Sequence, residues 1–83
     1  MTGGPRWSRA PRSWRATLRG VVVADGEGTQ MISGSAAAVW DLLDAPLTDG
    51  ELEAASRRTY GLDSVATRAG LQALAEAGLC TTI

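Results

Sequence analysis

Between residues 13 and 18 the chain alternates, with Trp14, Ala16 and Leu18 on one side and Ser13, Arg15 and Thr17 on the other. A period of two is the signature of a half-buried strand. Gly20 interrupts the pattern, and Val21, Val22 and Val23 follow as a β-branched run suited to a more buried strand. Residues 25–28, Asp-Gly-Glu-Gly, predict a hairpin turn, because glycine takes positive φ without a Cβ clash. Residues 29–33 return as a third strand, with Met31 facing opposite to Gln30 and Ile32. The pattern predicts a three-stranded antiparallel meander whose third strand lies at an edge.

The period then changes to that of a helix. Ala36, Val39, Trp40 and Leu43 fall at i, i+3, i+4 and i+7, one buried helical face, with Ser33 or Ser35 as the N-cap. Pro46 closes this helix. Thr48 and Glu51 form a T-x-x-E capping box, and Leu47 and Leu52 occupy the two positions of a hydrophobic staple, so a second helix starts after Thr48. That helix is predicted over residues 49–60, burying Leu52, Ala55, Thr59 and Tyr60, exposing Glu53, Arg57 and Arg58, and ending at Gly61. Asp63 is the N-cap of a third helix reaching Ala77, with Leu71 and Leu74 inward and Thr67 beside them. Gly78 stops it, and Leu79 folds back on the last turn. Gly70, inside this helix, costs about 1 kcal/mol relative to alanine; it reads as a tolerated core glycine, the alternative being a close approach of another backbone. The elements predict an α+β fold: a three-stranded antiparallel β-meander followed by three α-helices, winged helix-turn-helix-like.

Composition narrows the chemistry. The 83 residues make one domain and leave little room for an enzyme cleft. With no histidine and one cysteine, metal sites that need several Cys or His ligands are excluded, as is histidine-based acid–base or triad chemistry. Cys80 reads as a buried small apolar side chain rather than a nucleophile. No run approaches the roughly 20 apolar residues of a membrane span, and the N-terminal stretch lacks the apolar region of a secretory signal. No catalytic residue, cofactor, metal or membrane contact is expected, and the default compartment is the cytoplasm.

The net charge of -1 hides an asymmetry. Arg6, Arg9, Arg12, Arg15 and Arg19 precede the first acid, Asp25, whereas all nine acids share the rest with Arg57, Arg58 and Arg68. The basic end is a candidate contact surface for phosphates, for an acidic peptide or for the acidic body of the same domain. Residues 1–11 hold Gly3, Gly4, Pro5 and Pro11 and are expected to form a flexible basic arm, leaving 12–83 as the domain. The glycines near Asp25 lack the Lys-Ser/Thr of a P-loop, the third glycine of a dinucleotide fingerprint and the acidic ladder of an EF-hand.

The succession of a short meander, GSAAAVWDLLDAPLTDGELEAA, a TYGLD junction between helices and a final LQALAEAGL resembles the PqqD-like proteins, the RiPP recognition elements that bind precursor-peptide leaders. The resemblance covers roughly residues 13–79. It implies a three-stranded sheet on three helices, with the leader added as an extra antiparallel strand on the third strand, in a groove bounded by the third helix. The contacts then fall on Thr29, Gln30, Met31, Ile32 and Ser33, with Val65, Arg68, Leu71 and Gln72 on the helix. Arg68 is expected to pair with an acidic leader residue. The partners implied are a precursor peptide and a modifying enzyme such as a radical SAM enzyme, a cyclase or a leader peptidase. Many relatives carry a longer segment before the first helix, so the third strand here is expected to be short.

A free strand edge offers unpaired N–H and C=O groups to an extended peptide, which fits that reading. The competing class is a winged-helix DNA-binding module. It needs several side chains that reach bases and phosphates, and the third helix offers only Arg68 and Gln72 on a body that is net acidic after Gly20. A structural or oligomerisation subunit is a third class, drawn from the three tryptophans and the free edge. Trp7 and Trp14 are expected to cover the sheet rather than stack on a base.

Overall fold

The computed structural model describes residues 4–24 and 26–83. The fold is α+β, with β1 (Arg6–Arg9), β2 (Trp14–Thr17), β3 (Gly20–Ala24), β4 (Thr29–Ile32), α1 (Gly34–Leu42), β5 (Leu47–Thr48), α2 (Asp49–Tyr60), α3 (Ser64–Glu76) and β6 (Cys80–Thr82). The strands form two antiparallel sheets, ordered β2-β3-β4 and β5-β1-β6.

The first sheet is the expected meander. Val22 pairs with Arg15 on one side and Met31 on the other, and Val21 with Ala16 and Ile32. Successive residues point to opposite faces, so Val21, Val23 and Ile32 enter the core while Arg15, Val22 and Met31 share the outer face. The predicted turn keeps its bend at residues 26–28, while its Asp25 lies outside the described residues. One expectation fails here. β2 is exposed along its whole length, and Leu18, predicted to face inward, stands fully exposed in the β2–β3 turn.

The second sheet replaces the expected arm. Arg6–Arg9 is the central strand of three, paired with β5 through Arg6–Thr48 and Trp7–Leu47 and with β6 through Trp7–Thr82 and Arg9–Cys80. Residues 1–3 of the predicted arm lie outside the described residues. Arg9 explains much of the attachment. Its Nε donates to the Trp40 carbonyl at 2.7 Å and its Nη2 to the Asp41 carbonyl at 3.1 Å, in the last turn of α1. Carbonyls there have no partner within the helix and carry the negative end of its dipole. The guanidinium also lies over the rings of Trp14 and Trp40, 4.7 and 5.1 Å from their centroids. Those two rings meet edge to face at 6.0 Å. Trp7 is half-buried against the core and donates its indole N–H to Asp49 at 2.7 Å.

The helices begin and end where their signals stand. Ser33 is the N-cap position of α1, although its side chain makes no cap bond. The Thr48 hydroxyl accepts from Glu51 N, and the Glu51 carboxylate accepts from Thr48 N. That backbone bond, first among the causes, lowers the pKa of Glu51. Gly61 at φ 69 ends α2, and Asp63 accepts from Ala66 N to start α3. Leu79 N returns to the Leu74 carbonyl at 2.8 Å, folding Leu79 into the core as expected.

The core joins Val21, Val23, Ile32, Val39, Trp40, Leu43, Leu52, Leu71, Leu74, Leu79 and Cys80. Two features depart from the sequence pattern. In α2 the buried positions are Leu52 and Ser56, with Ala55 half-buried and Thr59 and Tyr60 exposed. The helix is rolled toward a serine, whose hydroxyl is buried with no protein partner. At Gly70 the alternative reading holds over the tolerated core glycine: a Cβ there would lie 2.5 Å from the Ser35 carbonyl oxygen, so α1 meets α3 backbone to backbone.

Candidate functional site

β4 is an edge strand, and its backbone chemistry follows from the register. Ala24 N donates to the Ser13 carbonyl at 2.9 Å, which makes residues 13 and 24 a bonded pair between β2 and β3. Bonded and non-bonded pairs alternate along an antiparallel ladder, so Val21 and Val23 turn their N–H and C=O groups toward β4. They meet Ile32 and Gln30. Thr29 and Met31 therefore aim theirs away from the sheet. The Ser33 carbonyl is taken by Ala37 N at 3.4 Å.

Beside this edge lies a cleft of about 210 Å³, lined by Gln30, Met31, Ile32 and Ser33 from the strand and its end, Ala36 from α1, and Ala73, Leu74, Ala77 and Leu79 from α3 and its C-terminal turn. Among the described residues no charged side chain lines it. It is smaller than the roughly 300–1,000 Å³ of a small-molecule pocket and suits the side chains of a segment laid along the strand. Next to it Gly70 lets α1 lie close against α3, and the small side chains at positions 73 and 77 leave the space beside β4 open.

The strand half of the predicted site is brought together here. Gln30, Met31, Ile32 and Ser33 line the cleft, and Thr29 stands exposed at the start of the same edge. The helix half is not. Val65 is exposed on the solvent side of α3, Arg68 donates to Glu53 of α2 at 3.2 Å, and Gln72 donates to Glu76 at 3.0 Å. Leu71 is buried, and its carbonyl accepts from the Cys80 thiol at 3.8 Å. Positions 65, 68 and 72 follow one helical stripe, and the cleft uses the neighbouring one. Ala36, Ala73, Leu74, Ala77 and Leu79 were missed. The signal was present, since Gly70, Ala73 and Ala77 form a small-residue stripe at i, i+3 and i+7.

Chemistry elsewhere is sparse. Burial pushes the Cys80 thiol up to about 11, which keeps it protonated and unreactive. Among the described residues, no group of three or more Cys, Asp or Glu side chains is placed to hold a metal ion. No helix among them is long and apolar enough to cross a membrane. Comparison with protein-family models, with curated proteins and with solved structures finds no match for this chain.

Proposed function

We propose that this chain is a PqqD-like RiPP recognition element: a non-catalytic, cytoplasmic peptide-binding protein with a winged-helix-like arrangement. It takes the leader of a ribosomally made precursor as an added antiparallel strand on β4 and presents it to a modifying enzyme or leader peptidase. The observation that carries this reading is the open β4 edge, with the outward backbone groups of Thr29 and Met31 beside an uncharged cleft walled by α3. Backbone bonds supply affinity to any extended segment, and the apolar cleft selects side chains. The DNA-binding alternative draws less support, because the two polar side chains that α3 has for it, Arg68 and Gln72, are engaged with Glu53 and Glu76.

The test is titration of the full chain with the synthetic leader of a precursor encoded beside this gene. Amides of residues 29–33, 73 and 77 are expected to shift. Met31→Pro removes only an outward N–H, which an edge strand tolerates, and is expected to weaken binding about tenfold. The reading fails if no neighbouring leader binds more tightly than about 1 μM and the amides of residues 29–33 stay in place.

A further inference from the structure

The meander has a second edge, and its surroundings differ from those of β4. Because residues 13 and 24 form a bonded pair, Arg15 and Thr17 direct their backbone groups at β3, and Trp14 and Ala16 direct theirs outward. Among the described residues no strand lies on that side, and all four residues of β2 are exposed. Beneath the edge is a hollow of about 450 Å³ whose lining includes Ala16, Leu18, Arg19, Ala37, Asp41 and Tyr60. Arg12, Arg15 and Arg19 stand exposed along the strand and its turn, and none makes an ion pair among the described residues.

We infer that the β2 edge is a second strand-addition site, which takes an acidic extended segment of a protein partner. Charge complementarity identifies the occupant. Three cations flank a row of open backbone groups, and opposite charges across a strand pair attract while like charges repel. A second copy of the same edge would set arginines against arginines. Nucleic acid fits less well, because phosphates leave the edge carbonyls unpaired and Asp41 lines the hollow. The Asp41 carboxylate already accepts from the Tyr60 hydroxyl. The hollow, lined by one cation, Arg19, and one anion, Asp41, with Leu18 and alanines between, suits neutral side chains, and the outer face, beside Arg15, suits acidic ones. The segment alternates acidic and apolar residues. This inference does not depend on what occupies β4.

The probe is a blocked synthetic hexapeptide of alternating glutamate and valine, titrated into the full chain. Amides of Trp14–Thr17 are expected to shift, the Ala16 amide to exchange more slowly, and affinity to fall as salt rises. Ala16→Pro removes an outward N–H at an edge and is expected to abolish binding with an unchanged circular dichroism spectrum. Arg15→Glu, which leaves the backbone intact and decides the matter should the proline variant not fold, is expected to weaken binding about tenfold. Met31→Pro, at the other edge, is expected to leave the affinity for this hexapeptide as in the parent. The inference is overturned if both β2 variants bind like the parent or if the shifts fall on residues 29–33. It is also overturned if duplex DNA displaces the peptide and binds Ala16→Pro as well as it binds the parent.

Discussion

The two edges of the meander expose the same backbone groups to opposite surroundings. At β4 the neighbour is α3, which offers methyl groups and leucines and no charge. At β2 the neighbours are α1 and the end of α2, with exposed arginines and the Asp41–Tyr60 pair. The difference arises one layer below the sheet. On one side α1 lies close against α3 at Gly70, beside a narrow neutral slot, whereas the β2–β3 turn overhangs a wider hollow on the other. Strand addition is generic chemistry, and what lies under the edge makes it selective.

Gly70→Val separates the edges most strongly. The new side chain meets the Ser35 carbonyl oxygen and forces α1 from α3, with an expected loss of about 2–3 kcal/mol in urea unfolding. Amides lining the β4 cleft, which both helices wall, should shift or broaden more than those of β2, which rests on α1 alone of the two. A parent-like midpoint would mean that the close approach carries no weight.

Next in size is an alkaline loss with one titrating group near each edge. Below about pH 9 the Cys80 thiol is protonated in folded and unfolded chains alike; the folded state keeps that proton up to about 11, so stability falls across that window. The loss is on the order of 2 kcal/mol. It should disturb Leu79 and the β4 cleft first, and Cys80→Ala should remove it. The slope that remains belongs to Tyr60, whose phenol is held protonated by its bond to Asp41, then by burial and the Asp41 charge. Its sign is the same, its perturbation should appear at β2, and Tyr60→Phe should flatten it. Urea midpoints and amide shifts at rising pH check both.

The smallest effect comes from Arg9→Met, which keeps the bulk of the side chain but loses the two carbonyl bonds and the ring contacts. An expected loss of about 1–2 kcal/mol should come with a change in tryptophan emission, since the guanidinium lies against Trp14 and Trp40. The β4 edge should bind as before. Unchanged emission and midpoint would show that Arg9 does not hold the strand.

Local signals were legible and distant ones were not. The meander, the Thr48–Glu51 box, the bounds of α2, the Asp63 cap and the return of Leu79 each depend on neighbours within a few residues, and the α+β class followed from them. The second sheet depends on Arg6 finding Thr48 and on Trp7 finding Thr82, and strands of two to four residues carry little pattern, β1 least of all between Pro5 and Pro11. In α2, helical spacing favoured Thr59 and Tyr60, while packing selected Ser56. At the candidate site the strand half could be read, because an edge follows from strand order. The helix half was placed one stripe away, on Val65, Arg68 and Gln72, because helical spacing alone does not say which stripe faces the strand; the small residues Gly70, Ala73 and Ala77 were the signal for the other.

The β5-β1-β6 sheet also sets an order of events in time. Its central strand bonds to residues 47–48 and 80–82, far along the chain, so its pairing bears the largest loop-closure entropy in the fold. It should form last during folding and open first in the native state, with the Ser8 and Thr81 amides exchanging before those of Val21 and Val23. Each such opening lifts Arg9 from the end of α1, frees Trp14 and loosens the anchorage of β2 while the rest of the meander stays closed.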